Sequence, residues 1–384
     1  MMKRVIMLFV LVLLVGCAPR YEDNDEVIDE TLPGEEQETA IIPNYKVDAS
    51  DYQVLLPYRL SESRGVTTNQ VANRVDIRAL ENDLRRHSTD VFDPKDYFFQ
   101  EGQQIGRSEL YSWLERYSDT TELGLNPAIS YSSDSSLDEK LQDERDNPKY
   151  LTHILEQNYL VRTEENSVQL AGISLGIAMK SEYQFQTEIG GPFYYESIES
   201  EAMLSEANRV AAEVVTRLRQ KDGLADVPIM IAIYREATRN SLVPGSIVAK
   251  TVVDAGSGNV SGWQTVDEEY VLFPSTRARQ VDPDLSAIVN EFQNDIREFF
   301  PNYVGLIGEG FYQGNQLRRL KLEIPIPFQG QAEVNGFTQY VYGLVMDSFQ
   351  THFDLEVVIR SDARQESLIT RKRDAEKADV YIYE

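Results

Sequence analysis

Cysteine is almost missing: Cys17 is the only one in 384 residues. No intramolecular disulfide can form, and zinc-finger, thioredoxin-like and cysteine-nucleophile chemistries are excluded. Histidine is nearly as scarce. His87, His153 and His352 lie far apart, and none forms HExxH or another metal-ligand spacing, so no metal or cofactor is expected. Positive charge is short as well, with 37 basic residues against 63 acidic ones and a net charge of −26. Nucleic-acid binding needs the opposite balance to neutralise phosphates. No GxSxG elbow is present, and Gly190-Gly191-Pro192 and Gly256-Ser257-Gly258 lack the pattern of a phosphate loop. The apolar run from Val5 to Val15 has eleven residues, whereas a membrane-spanning helix needs about 20.

What is there begins at that run. Met1-Met2-Lys3-Arg4 is a short basic start, Val5–Val15 a short apolar core, and Gly16 a small residue before Cys17. This is the layout of an export signal over residues 1–16. Leu14-Val15-Gly16-Cys17 resembles the lipobox, in which a diacylglyceryl group joins the thiol and a peptidase cuts before it. The expected partners are therefore lipoprotein-processing enzymes and, through the lipid on Cys17, the extracytoplasmic face of the cell membrane. Two acyl chains, at about 0.8 kcal/mol per buried methylene, anchor stably where one does not. An exported protein without disulfides fits a Gram-positive cell.

Residues 17–44 follow, dense in Asp and Glu and poor in large apolar side chains, and are expected to be a disordered tether. The body is then divided into 45–150 and 151–384, because the pattern changes near Tyr150. Helical spacing is expected over Val75–Arg86, Ser108–Arg116, Ser200–Arg219, Leu285–Phe300 and Phe337–Phe349. Strands are expected over Tyr52–Tyr58, Val168–Met179, Val227–Tyr234, Tyr303–Tyr312, Leu320–Ile326 and, last, Phe353–Ile359. Ile247–Val253 and Tyr270–Phe273 read as a pair of strands, and Leu125–Asn147 as loops. Helices and strands mix without a regular βαβ beat. That predicts an α+β fold with mixed, mainly antiparallel sheets and packed helices. Leu55–Arg59 with Arg64, and Ile231–Arg235 with Arg239, look alike and suggest two related α+β halves.

The candidate binding residues are the arginines of those two segments, Arg59, Arg64, Arg235 and Arg239, with Tyr58 and Tyr234. Arginine beside tyrosine at strand ends suits carboxylates or phosphates. The competing reading pairs the arginines internally with the many carboxylates. Glu309, between Gly308 and Gly310, is the best single candidate for exposed chemistry; a tight turn or bulge in a hairpin is the simpler account of its glycines.

Six stretches resemble the CamS family of sex-pheromone precursor lipoproteins. They are LLPYRLSESRG (Leu55–Gly65), VFDPKDYFFQEG (Val91–Gly102), Pro228–Arg235 with Val243-Pro244-Gly245, YVLFPS (Tyr270–Ser275), FFPNYVGLIGEGFYQG (Phe299–Gly314) and GFTQY (Gly336–Tyr340). The resemblance implies that the end of the signal is released as a short hydrophobic pheromone inducing plasmid transfer in enterococci. The segment in that place is Val10-Leu11-Val12-Leu13-Leu14-Val15-Gly16, which departs from the family's pheromone in having less Ala and Ile and no Phe. For the body, the leading expectation is a binding module with an unknown envelope ligand. An enzyme acting on peptide or cell-wall material, or a solute-capture protein with two lobes, are the alternatives.

Overall fold

The two periodicities of the chain sort into mixed sheets with helices packed on them, the α+β class expected. The computed structural model describes residues 25–30, 38–43, 51–66, 74–300, 302–327, 330–362 and 364–383. The first sheet takes nine strands: β1 (Asp25–Asp29), β2 (Glu38–Ile42), β3 (Gln53–Val54), β4 (Phe98–Glu101), β5 (Leu151–Arg162), β6 (Ser167–Met179), β9 (Ile229–Arg235), β10 (Ser246–Val253) and β11 (Gln264–Thr265). In space they run β11-β10-β9-β6-β5-β4-β3, with β1 added beside β6 and β2 beside β1. A small hairpin, β7 (Glu182–Phe185) with β8 (Tyr194–Ser197), stands apart.

Both faces of this sheet are covered, so β6 and β9 are largely apolar, while β5 also buries His153, Glu156, Gln157 and Asn158. Helix α1 (Arg74–Ser88) packs Leu80 and Leu84 against Phe92, Tyr159 and Tyr234 on one face. Helix α4 (Ser200–Arg219) packs Val210, Val214 and Leu218 against Ile173, Ile177 and Ile231 on the other. Each such buried side chain contributes about 1.5–3 kcal/mol. That outweighs the helix's weak start, where Glu199 makes no side-chain capping bond. Helix α2 (Arg107–Leu114) adds Leu110, Trp113 and Leu114 to the core beneath α4, and Leu141 of α3 (Leu137–Asp146) packs against it.

The second sheet has six strands in sequence order: β12 (Glu268–Phe273), β13 (Ile307–Gln313), β14 (Gln316–Pro325), β15 (Asp354–Arg360), β16 (Gln365–Arg371) and β17 (Asp379–Ile382). All pairs are antiparallel except β14 with β15, which are parallel and connected through α7 (Gln331–Ser348). Helices α5 (Thr276–Val281), α6 (Pro283–Phe299) and α7 cover one face, where Leu320, Leu322 and Ile324 alternate inward against Phe292 and Val341. The opposite face carries the polar alternates.

Several expectations change. Two pieces of the segment expected to be a disordered tether, Asp25–Asp29 and Glu38–Ile42, form an antiparallel pair, because Val27, Ala40 and Ile42 fall on one side and pack on Leu55, Leu160 and Val168. The sheets divide between Thr265 and Glu268 rather than near residue 150, which lies just before β5 inside the first sheet. Ile247–Val253 and Tyr270–Phe273 are not partners: β10 pairs β9 and β11, while β12 belongs to the second sheet. Phe353–Ile359 is not the last strand, since β16 and β17 follow. The loops expected over Leu125–Asn147 contain α3, whose Ser136 and Glu139 close a reciprocal capping box.

Candidate functional site

A cleft of about 610 Å³ opens between α1 and the polar face of the second sheet. Arg78, Asn82 and Arg86 recur at four-residue steps, so they share one face of α1 and form its roof. The floor is set by strand register. Leu272, Glu309, Lys321 and Glu356 lie side by side across β12 to β15, and Tyr270, Phe311, Arg319 and Asp354 form the next row. Leu242, Val243 and Pro244, with Leu272 and Ile307, make an apolar lip, on which Leu242 is 62% and Ile307 50% exposed.

Beside the cleft, an ionic joint ties α1 to β12 of the second sheet. The Arg86 guanidinium donates twice to Glu268, Nη1 to Oε1 at 2.7 Å and Nη2 to Oε2 at 2.7 Å. Nη2 also donates to Asp83 Oδ1 at 3.0 Å, and the guanidinium sits 4.9 Å from the centre of the Phe311 ring. His87 Nε2 lies 3.1 Å from Glu268 Oε2, and Gln313 Nε2 donates to Glu268 Oε1 at 2.9 Å. Burial alone would push the Glu268 carboxyl up, but these hydrogen bonds and the guanidinium hold it at about 2. Burial raises the Asp83 carboxyl, which also receives the Tyr270 hydroxyl at 3.1 Å, and Arg86 offsets part of that rise.

Glu309 lies in this cleft, in the middle of β13 and in neither a turn nor the bulge that falls between Phe311 and Tyr312. Its flanking glycines serve packing: a Cβ at Gly308 would come within 2.9 Å of Phe273 Cβ, and one at Gly310 within 2.9 Å of the same ring. Burial raises the Glu309 carboxyl, against the pull of Arg319 (3.9 Å away) and Lys321.

The arginine and tyrosine candidates are not one site. Arg59 pairs with Asp29 at 3.2 Å. Arg64 pairs with Glu101 at 3.5 Å, and the same carboxylate accepts the Tyr58 hydroxyl at 2.7 Å. Burial, and then that bond, push the Tyr58 hydroxyl up to about 12. Tyr234 is fully buried and donates to Asp76 at 2.6 Å. Arg235 donates to Ser200 Oγ at 2.8 Å and to the Ile198 carbonyl at 3.1 Å. Arg239 donates to Gln184 at 2.6 Å and borders a separate recess of about 420 Å³ with Glu182, Tyr195 and Asn240. Internal pairing with carboxylates thus accounts for Arg59 and Arg64. Val10–Gly16 and Cys17 lie outside the described residues.

Among the described residues, no cluster of His, Cys, Asp and Glu is placed to hold a metal. His153 is fully buried, and burial lowers its ring to about 3, so it stays neutral. No helix among the described residues is long and apolar enough to cross a membrane. Sequence reasoning passed over Arg78, Arg86, Glu268, Tyr270 and Arg319. The four-residue repeat of Arg78, Asn82 and Arg86 and the alternation of Arg319, Lys321 and Glu323 were legible, but nothing local says that these faces meet.

The fold and site define an α+β protein in which two sheet units share a mixed-charge cleft. A family profile described as CamS sex pheromone cAM373 precursor matches residues 58–377, and the chain belongs to that family. It is similar to the crystal structure of a sex pheromone precursor from Lactobacillus salivarius subsp. salivarius UCC118, with 28% identity, 89% of this chain and 98% of that one covered, and a TM-score of 0.81. It is also similar to the C-terminal domain of the sex pheromone staph-cAM373 precursor from Staphylococcus aureus, with 25% identity, 82% and 99% covered, and a TM-score of 0.69. No curated protein matches the chain.

Proposed function

We propose that the chain is the precursor of an extracellular lipoprotein of a Gram-positive cell, anchored through a lipid on Cys17. The end of its signal, Val10–Gly16, is the source of a short hydrophobic peptide, and its body is a binding module rather than an enzyme. The lipobox-like Leu14–Cys17 and the membership in a pheromone-precursor family support the first two parts. The cleft supports the third, because it is a concavity of ligand size in which an apolar lip and polar groups face one space. Capture by two closing lobes is a variant of this reading, since the cleft lies between the two sheet units.

An enzyme acting on peptide or cell-wall substrates is favoured by one observation, the raised Glu309 carboxyl. Against it, no serine, histidine or cysteine among the described residues lines the cleft to share a proton or attack a substrate. Three measurements test the proposal. Cys17→Ala is expected to leave the precursor uncut, and normal cleavage before residue 17 would overturn the anchor. Mass spectrometry of the medium is expected to find peptides ending at Gly16; none, with the precursor processed, would remove the pheromone role. A low-molecular-weight envelope extract is expected to protect α1 and β13–β14 from hydrogen exchange, and unchanged exchange would remove the binding module.

A further inference from the structure

The cleft's charges are unequally matched. Each of three carboxylates lining it has a firm cationic partner. Asp83 takes Arg86 at 3.0 Å, Glu356 takes Lys321 at 3.2 Å, and Glu323 takes Arg360 at 3.0 Å. The fourth, Glu309, has its charge disfavoured by burial. The cations are less well used. The Arg78 side chain is exposed and makes neither a hydrogen bond nor an ion pair with any described residue. Arg319 has only the 3.9 Å contact to Glu309, beyond hydrogen-bond reach, and rests its guanidinium 5.7 Å from the centre of the Phe311 ring. In a chain of net charge −26, these two guanidiniums, both lining one cleft, are the cations there with capacity left for an anionic occupant.

Beside that site is the apolar lip, where Leu242 and Ile307 expose more than half and about half of their surface. An occupant that covers the lip gains about 25 cal/mol per Å² of apolar area removed from water. A phosphate or a sugar satisfies the arginines and leaves the lip bare. A carboxylate at the end of an apolar chain satisfies both. The roof and the floor each add an acceptor, Asn82 and Glu309, which suit backbone N–H groups and have nothing to bind on a fatty acyl tail. The volume of about 610 Å³ fits a few residues and excludes a folded partner.

We propose that the cleft takes the free C-terminal end of a short apolar peptide, with Arg78 and Arg319 holding its carboxylate and the Leu242–Pro244 lip covering its side chains. This rests on reading the body as a binding module and narrows that reading to one ligand class.

The test is titration calorimetry on the intact lipoprotein with Leu-Leu-Val-Gly (the sequence of Leu13–Gly16), its C-terminal amide, and octanoate. The free acid is expected to bind, with the amide and octanoate at least tenfold weaker. Arg78→Ala and Arg319→Ala are each expected to weaken the acid about tenfold to hundredfold, the loss of a charge-assisted hydrogen bond. Arg145→Ala, on a distant surface pair with Glu196, is expected to change nothing. The Arg78 side chain loses no hydrogen bond or ion pair, only a longer-range attraction to Glu81, so its variant is expected to keep the fold, and an unchanged circular dichroism melt verifies this. Equal binding of acid and amide, or of octanoate, overturns the proposal, as does indifference to Arg78→Ala. If no peptide binds while the envelope extract still protects α1 and β13–β14, the peptide class is wrong and the binding module stands. If the extract also protects nothing, both fall.

Discussion

Replacing Arg86 by alanine tests whether the joint between the sheets carries stability. The side chain reaches from α1 to β12, so it is one of the bonds between the units. Its removal leaves Glu268, whose side chain is 3% exposed, with His87 and Gln313 as donors, and leaves Asp83, 4% exposed, with the Tyr270 hydroxyl. Breaking a buried ion pair from one side costs about 3–5 kcal/mol, because the remaining charge stays uncompensated. Arg86 itself is 34% exposed and water can replace part of it, so we expect about 3 kcal/mol. Urea unfolding at neutral pH measures the loss. A second signature follows from the position of the tryptophans. Trp113 and Trp263 both belong to the part of the chain before β12, so their fluorescence follows the first unit, while far-ultraviolet circular dichroism follows both. In the natural protein the two transitions are expected to coincide; in Arg86→Ala they separate. A loss below about 1 kcal/mol with coincident transitions would refute the joint, since that is the worth of a solvent-screened surface pair.

The acid limb of the stability curve carries the same joint. The Glu268 carboxyl is depressed from 4.5 to about 2 by folding, so its stabilisation is present above about 4.5 and is lost as pH falls through about 2. Glu268→Gln is expected to flatten that limb in acid titrations followed by circular dichroism, and an unaltered limb would assign it elsewhere. Glu236 behaves oppositely: burial raises its carboxyl from 4.5 to about 7, so a penalty accumulates as pH rises through that window. Glu236→Gln is expected to gain about 3 kcal/mol at pH 8 and little at pH 4, compared by urea unfolding; an equal gain at both would contradict the cause. Gly245→Ala is expected to destabilise by about 3 kcal/mol or more, since its Cβ would meet the Arg235 carbonyl oxygen at 1.9 Å and displace the amide that donates to Asp76 at 2.7 Å. A melting temperature within a degree of the parent's would show that the strand end yields freely.

How much was legible in the sequence differs between elements for physical reasons. Helix α4 has the expected bounds, Ser200 to Arg219, because a long apolar face at helical spacing is a local property repeated over five turns. Strand β5 was passed over, because it is buried on both faces and holds His153, Glu156, Gln157 and Asn158 inside, so no alternation marks it. Helix α3 is nearly all polar and announced itself only through Ser136 and Glu139. The two Tyr-Arg segments are alike as text, yet one ends a central strand with its tyrosine fully buried, and the other follows a two-residue edge strand with Tyr58 exposed. Glu309 could be chosen for its glycines, although those glycines make room for Phe273 and leave the carboxylate to the opposite face. The cleft itself belongs to the tertiary structure. Arg86 and Glu268 are 182 positions apart, and the rows that bring Glu309, Lys321 and Glu356 together depend on strand register. Periodicity tells a strand which side to bury, but the charges it turns outward find their neighbours only when the sheets pack.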